Sequence, residues 1–391
     1  MISISTYNNF CYLESQNMDT IESNYIFLHQ IGVGSYGQVY LAEHKKSRQN
    51  VAIKTFNYRD NNDPFCKIQI QREIDVLKSI DHPYIIQLFD HFQTENAYFA
   101  VLEYLEGGNL LEKINSNGPI AESTAKLIFF QLITSIQFLH RHNIVHRDIK
   151  VENILFDKYR NIRLADFGLS CSTHNKEDLR QQCGSMSYAA PEVIKGEIYS
   201  NSVDIWSAGI VLYTMITGNL PFEDSNLQKL YQKIVTTNPT YPPTMSAQLV
   251  DLLNKILTKD PNQRIKSNDL LKHSWLGQVV QPTISENNAI DKDILQAMES
   301  WGYDIPFLIN NLTNKLQTDD VIVYKIALRE MRSKQIYNLT IQPRRSSIAL
   351  MHKRNGYKIF RQIQISPSKP KIIVPSDSVN RRKSLSFLEN S

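Results

Sequence analysis

The sequence predicts an α+β fold in two unequal lobes, a small sheet with one main helix followed by a mostly helical half, with three short helices behind them. Three observations carry this expectation. β-like runs cluster between Tyr25 and about Leu102; helical apolar spacing dominates from Leu110 to Leu276; and three capped, apolar-lined segments follow in Asp291–Met331. The 391 residues exceed one ordinary core, which stops growing near ~250–300 residues, so more than one module is expected.

The β-like runs are Tyr36–Ala42, Asn50–Phe56, Ile85–Phe92 and Ala97–Glu103, interrupted by a helical stretch near Cys66–Ser79. In the second half, Ser123–Arg141 places Ala125, Ile128, Phe129, Leu132, Ile136 and Leu139 near a 3.6-residue period. Among the last helices, Ile294, Leu295 and Met298 line the first and Gly302 ends it. Asp304-Ile-Pro306 opens the second as cap and early-turn proline. Asp319 or Asp320 caps the third, which carries Val323, Ile326 and Ala327. A unit of about 40 residues with Leu295, Met298, Phe307, Leu312 and Ile326 as its apolar residues has too small a core to stand alone, so docking on its own larger neighbour is expected.

Hydrophobic content of 42% and charged content of 21% fit a globular chain. Cys11, Cys66, Cys171 and Cys183 form no C-x-x-C pair, which argues against a zinc site or disulfide framework and for a reducing compartment, cytoplasm or nucleus. The first residues lack a signal-peptide pattern, Ile2 stands where myristoylation needs glycine, and no apolar run reaches transmembrane length. Charge is uneven: from Met331 onward 13 Lys/Arg face 2 Asp/Glu, a net +11 against −7 for the preceding residues and +4 overall. This basic segment, 332–391, reads as a polar, unstructured tail; the competing reading is a module that binds anionic lipid, nucleic acid or acidic protein surfaces. Within it, Arg344-Arg345-Ser346-Ser347 and Arg381-Arg382-Lys383-Ser384 make Ser347 and Ser384 candidate phosphorylation sites.

The chemistry-bearing residues come in order. Ile31-Gly32-Val33-Gly34-Ser35-Tyr36-Gly37-Gln38-Val39 reads G-x-G-x-x-G-x-V, and glycines let a backbone approach phosphates without a Cβ in the way. A strand rather than a helix follows, so the segment reads as a phosphate-covering hairpin, not a dinucleotide fingerprint. Alone it is a weak signal, as is Lys54 in Val51-Ala52-Ile53-Lys54, where the bland reading is a surface lysine on an edge strand. Glu73 offers that lysine a partner, and its bland reading is a solvated charge. His146-Arg147-Asp148-Ile149-Lys150-Val151-Glu152-Asn153 and then Asp166-Phe167-Gly168 supply carboxylates and an amide of the oxygen type that a hard divalent cation takes.

Together these runs resemble the eukaryotic protein kinase superfamily, whose later landmarks are matched by Ala190-Pro191-Glu192, Asp204-Ile-Trp206 and Arg264. The resemblance covers residues 25–276 and implies the bilobal kinase fold, with an antiparallel sheet in the small lobe. It divides the chain into an extension (1–24), a catalytic domain (25–276), a linker (277–290), a small unit (291–331) and the basic tail (332–391). It further implies ATP and Mg²⁺ as cofactors. Gly32, Gly34 and Gly37 would cover the phosphates, Lys54 would hold them, and Glu73 would orient Lys54. Asp148 would receive the substrate proton, Lys150 would stabilise the transferred group, and Asn153 and Asp166 would hold the metal. Ile31, Val39, Ala52 and Leu155 would sandwich the adenine, with Leu102 as gatekeeper, Glu103-Tyr104-Leu105 as hinge, and Leu77, Leu88, His146 and Phe167 as a buried spine.

Lys150 resembles the serine/threonine kinases rather than the tyrosine kinases, and Leu169 those preferring serine. Cys183-Gly-Ser-Met-Ser-Tyr-Ala-Ala-Pro-Glu192 and Glu106-Gly-Gly-Asn-Leu110 look like the calcium/calmodulin-dependent group, especially its AMP-activated-kinase-like branch, and Asp291–Met331 resembles that branch's ubiquitin-associated-like unit. Asn109 and Gln232 replace two acidic positions that basophilic members use to bind arginine, leaving Glu152. Gln181 occupies the place of the activating phosphothreonine. Either packing orders that segment unaided, or Ser172, Thr173 or Ser187 carries a relocated phosphate; Ser185 is expected instead beside Asp148 and Lys150. The alternative to an active enzyme is a silent scaffold of the same fold, which the presence of Lys54, Glu73, Asp148, Asn153 and Asp166 disfavours.

Overall fold

Alternation along β3 (Gln49–Asn57) decides how the small lobe is built. Ala52 and Phe56 point into the main core, whereas Val51 and Ile53 point to the opposite face of the sheet. The computed structural model describes residues 18–34, 37–57, 64–94, 97–174, 177–277 and 290–341. Residues 1–17 of the extension, most of the linker, and the tail from 342 with Ser347 and Ser384 lie outside the described residues.

Five antiparallel strands form the small lobe: β1 (Tyr25–Gly34), β2 (Gly37–His44), β3, β4 (Leu88–Gln93) and β5 (Ala97–Glu103), in the order β1-β2-β3-β5-β4. β1 is absent from the four β-like runs because two register irregularities, at Phe27/His29 and Gln30/Gly32, break its alternation. Ile85 makes only a bridge to Leu164, so the expected strand from Ile85 begins at Leu88. A short helix α1 (Met18–Asn24) precedes the sheet, with Ile21 buried, so the expected loose extension is ordered over its last seven residues.

Helix α2 (Pro64–Ser79) buries Ile70, Glu73, Ile74 and Leu77 on one face, the three-and-four spacing that puts Glu73 inward. The helical lobe contains α3 (Leu110–Asn117), α4 (Glu122–Arg141), α5 (Pro191–Ile194), α6 (Ser202–Thr217), α7 (Leu227–Thr236), α8 (Ala247–Ile256) and α9 (Ser267–Leu270). Two two-stranded ladders sit between the lobes: β6 (Ile144–Val145) with β9 (Cys171–Ser172), and β7 (Ile154–Phe156) with β8 (Ile162–Leu164). Arg264 binds Glu192 through two nitrogens at 2.7 and 2.9 Å, wholly buried, and ties α5 to the loop after α8.

Behind them come α10 (Lys292–Ser300), α11 (Ile305–Thr313) and α12 (Asp319–Ile341). Asp291 and Asp304 cap α10 and α11, and Gly302, at φ 87°, follows the end of α10. Ile294, Met298, Leu308, Val321, Val323, Tyr324, Ala327 and Met331 make the unit's own core. Two of the expectations for this unit are corrected. α12 does not stop at Met331 but runs ten residues further, because Ser333 and Ile336 are buried and no proline intervenes before Pro343. Phe307, expected among the apolar residues of the unit's small core, is 54% exposed.

The face of α12 that leaves this core lies against the small lobe. Ile322 joins Ile21, Tyr25, Val51, Ile53, Phe89, Phe99 and Val101 in the cluster on the outer side of the sheet, with Ile326 packed beside it. Arg329 donates to Glu103 Oε2 at 2.9 Å, to the His82 carbonyl at 2.8 Å and to the Ile85 carbonyl. Asn161 and Arg163 reach Ser333, Tyr159 donates to Glu330 at 2.6 Å, and Arg332 pairs with Asp81 at 3.1 Å.

Candidate functional site

β3 is a central strand, paired to β2 and β5 through Lys54↔Val39 and Lys54↔Ala100, so the edge-strand reading of Lys54 is excluded. Its side chain is on the Ala52 and Phe56 face, where burial demands a partner. Lys54 Nζ lies 2.7 Å from Glu73 Oε1 and 3.4 Å from Asp166 Oδ1. Burial opposes the ammonium, but Glu73 and Asp166 outweigh it and hold Lys54 above the ordinary lysine pKa. Burial likewise opposes the Asp166 carboxylate, and Lys54, with His146 and Lys150, more than compensates, keeping Asp166 below the usual carboxylate range. The expected pairing of Lys54 with Glu73 is therefore present, and Asp166 completes it.

Asp148 is the centre of a second cluster. Its Oδ2 accepts from Lys150 Nζ at 2.6 Å and Asn153 Nδ2 at 3.1 Å, and its Oδ1 from the backbone and hydroxyl of Ser185, both at 3.1 Å. Lys150 also donates to Ser185 Oγ at 3.1 Å, so Ser185 stands beside both residues as the sequence predicts. Two loops are held in costly shapes: Arg147, after β6, has φ 68° and Asp166, after β8, φ 64°, left-handed values that cost on the order of 1–3 kcal/mol for such residues. Asp204, fully buried, accepts from the His146 and Arg147 amides at 3.0 and 2.9 Å and from His140 at 2.9 Å, and so supports that turn. Burial would raise its carboxyl, yet these donors hold it below the usual range. Gly184, φ 88°, approaches the loop so closely that a Cβ would lie 2.4 Å from the Arg147 carbonyl.

The β7–β8 hairpin joins the clusters, because Ala165 N donates to the Asn153 carbonyl at 2.9 Å and brings Asn153 beside Asp166. Leu77, Leu88, His146 and Phe167 are all buried, with the His146 and Phe167 rings edge-on at 4.8 Å. Val39, Ala52, Leu102, Leu105 and Leu155 belong to or pack on one core cluster facing the cleft, whereas Ile31 on β1 is 41% exposed. Gly32, Gly34 and Gly37 bracket the β1–β2 turn, and a Cβ on Gly37 would fall 1.6 Å from the Thr55 carbonyl.

Glu103 behaves otherwise than a residue facing a nucleotide. Its carboxylate turns to the rear and accepts from Arg163 Nε at 3.0 and 3.1 Å and from Arg329, and its amide donates to the Gln87 carbonyl at 2.9 Å. Asn109, at one of the replaced acidic positions, caps α3 in a reciprocal pair with Glu112, so its side chain is committed to the helix. Sequence reasoning misses Arg72 and Asp178, which pair across the activation segment at 3.3 Å. Neither spacing nor motif marks that pair. Arg329 has a signal, since it continues the three-and-four spacing of Ile322, Ile326 and Ser333 with a charge on the buried face.

A cation held by Asp166 and Asn153 fits this chemistry. Asp166 is kept ionised, and with the Asn153 amide nitrogen spent on Asp148, the carboxamide oxygen remains as an acceptor. Among the described residues no helix is long and apolar enough to cross a membrane.

Comparison with known proteins agrees with this geometry. Residues 25–276 match the protein kinase domain family. The chain is 38% identical to the serine/threonine protein kinase OSK4 of Oryza sativa over 315 residues, covering 78% of this chain and 62% of that protein. It is 36% identical to the carbon catabolite-derepressing protein kinase of Secale cereale, over 78% of this chain and 63% of the other. With the SNF1-related protein kinase catalytic subunit alpha KIN12 of Arabidopsis thaliana it shares 34% identity, over 84% and 68%. The chain thus spans less than two thirds of the length of the first two relatives.

Proposed function

Because this chain belongs to the protein kinase family, we propose that it transfers the γ-phosphoryl group of ATP to serine or threonine hydroxyls of protein substrates, with Mg²⁺. One observation carries the reading: the Lys54–Glu73–Asp166 group and the Asp148–Lys150–Asn153 group converge from opposite lobes on one cleft. ATP bound with Mg²⁺ supplies the electrophilic phosphoryl group. Lys54 places a fixed positive charge for the phosphates, and Glu73 keeps it from swinging away. Asp166 and Asn153 would hold the cation, which would neutralise phosphate charge. Asp148 accepts the proton of the incoming hydroxyl, and Lys150, on the same carboxylate, offers a cation to the developing charge. Most of the work is positioning, which the buried charges and the strained loops accomplish before a substrate arrives.

The three-helix unit is read as ubiquitin-associated-like, serving as a brace on its own catalytic domain. The contacts of Ile322, Arg329 and Ser333 support this, and they coexist with a formed Lys54–Glu73 pair, so docking and catalytic alignment are compatible.

The test is incorporation of radiolabelled phosphate from ATP with Mg²⁺ into a mixed serine and threonine peptide library, wild type beside Asp166→Asn. Incorporation abolished by the substitution is expected; equal incorporation by both proteins, or none by wild type, would show a scaffold instead.

A further inference from the structure

Gln181 stands where a phosphothreonine would anchor the activation segment, but it is exposed, and its side-chain amide makes no hydrogen bond among the described residues. The segment is nevertheless held. The Arg147 guanidinium donates to the carbonyls of Leu169 and Asp178 and to the Tyr199 hydroxyl, the last at 3.2 Å. That hydroxyl lies 3.2 Å from the Asp178 carbonyl and 2.9 Å from that of Gln181. Tyr199 N donates to the Leu179 carbonyl at 3.1 Å, and Leu179 itself is buried.

An anionic group is present too, three residues before Gln181. The Asp178 side chain is 9% exposed, and its two oxygens lie 3.4 and 3.3 Å from Arg72 Nη1. Arg72 extends from α2 immediately before Glu73, which holds Lys54. A nearly buried carboxylate requires a cation, and the half-exposed Arg72, carried by α2, supplies one with Glu73 of the same helix facing Lys54. A chain of charges therefore runs from the activation segment to the cleft: Asp178, Arg72, then Glu73, Lys54 and Asp166. Two of the hydroxyls considered for a relocated phosphate have short-range neighbours instead, Thr173 bonding Asn143 at 3.4 Å and Ser172 accepting from the His174 amide at 3.3 Å.

We propose that Asp178 is a positioning residue, a permanent anionic anchor that holds α2 through Arg72 and aligns the catalytic site without phosphorylation of the activation segment. The inference rests on the kinase reading and deepens it. A phosphate offers ~1.5–2 negative charges and three acceptor oxygens, and is reversible; the Asp178 carboxylate offers less charge, but permanently and already desolvated.

Full-length protein is treated with phosphatase, shown by intact mass to carry no phosphate, and assayed for initial rates with the same peptide library. Wild type is expected to keep activity within about twofold, while Asp178→Asn and Arg72→Gln each lower kcat by about tenfold with a smaller change in peptide KM. Asp178→Glu restores part of the loss, and the Asp178→Asn, Arg72→Gln double variant is no worse than either single one, because both remove the same contact. Losses that multiply, an Asp178→Asn enzyme with wild-type kcat, or a wild type that loses more than tenfold on dephosphorylation would each overturn the proposal. Should Asp178→Asn fail to fold, Arg72→Gln, at a half-exposed position, decides alone by its kcat. Asp166→Asn run alongside separates the two readings, since persistent activity there sinks the kinase assignment, whereas its loss beside normal Asp178 and Arg72 variants sinks only the anchor.

Discussion

Replacing Arg329 by methionine tests how α12 is held on the catalytic domain. Arg329 is buried and donates to Glu103 and to the carbonyls of His82 and Ile85. Hydrogen bonds from a charged group are worth ~1.5–3 kcal/mol each, which sets the gross attraction near ~4.5–9 kcal/mol. Against it stands desolvation of several kcal/mol. Burial, with Arg163 adding to it, pushes the guanidinium down to about 10 despite the pull of Glu103, so the cation persists at neutral pH but at a cost. Glu103 keeps Arg163 after the substitution, so no bare carboxylate is left, only two carbonyls. The net loss is therefore about 2 kcal/mol, a shift of ~30-fold from docked toward undocked. Hydrogen exchange should show faster amides in residues 81–86 and along 319–339, with a lower urea midpoint. Unchanged exchange and an unchanged midpoint in a folded Arg329→Met protein would refute the reasoning.

Two further outcomes are expected. Lys54→Met should lower phosphoryl transfer by orders of magnitude while circular dichroism still shows a folded protein, since the lysine acts by placing charge; near-normal kcat in a folded variant would remove the assignment. Burial raises the Asp90 carboxyl from 3.8 to about 6, with the His91 amide and the Tyr25 hydroxyl opposing. A group raised in the folded state contributes stability that is full below its unfolded pKa and lost as pH rises through the folded one, here between about 3.8 and about 6, an effect of at most ~3 kcal/mol. Asp90→Asn should thus gain relative to wild type on going from pH 4 to pH 7, read from urea midpoints, and an identical difference at both pH values would count against a raised Asp90.

What the sequence makes legible is the chemistry whose residues sit at fixed spacings. Lys54, Asp148, Lys150, Asn153 and Asp166 are identifiable because their motifs follow one another in the order of the protein kinases they resemble, each being a weak signal alone, and the structure gathers all five in one cleft. Glu73 is legible as a partner because its neighbours Ile70, Ile74 and Leu77 fix the inward face of α2. β1 is obscured by its irregular register, and the end of α12 by its basic composition, since tertiary burial of Ser333 and Ile336 overrides the charge pattern that suggests a tail. Asp178–Arg72 spans 106 residues and belongs to no motif, so only the folded chain brings it together.

The same dependence on the folded chain explains why the rear of the hinge matters to the cleft in front of it. Arg163, fully buried on β8 three residues before Asp166, bonds Glu103, Asp157 and Ser333 at once. Two carboxylates, Glu103 and Asp157, face two guanidiniums, Arg163 and Arg329, and the last belongs to α12. The group is balanced only when α12 is in place. A chain ending at residue 280 would keep Arg163 between two carboxylates and open both to water, a change that weakens the rear of the hinge but leaves Lys54, Glu73 and Asp166 their mutual contacts. The brace and the Lys54–Glu73–Asp166 group are thus separate electrostatic units, joined through the β7–β8 hairpin and the hinge residue Glu103. Loss of the three-helix unit should therefore be felt first as lower stability and faster exchange near residues 81–86 and 157–163, and only through that hairpin as a change in the positions of Asn153 and Asp166.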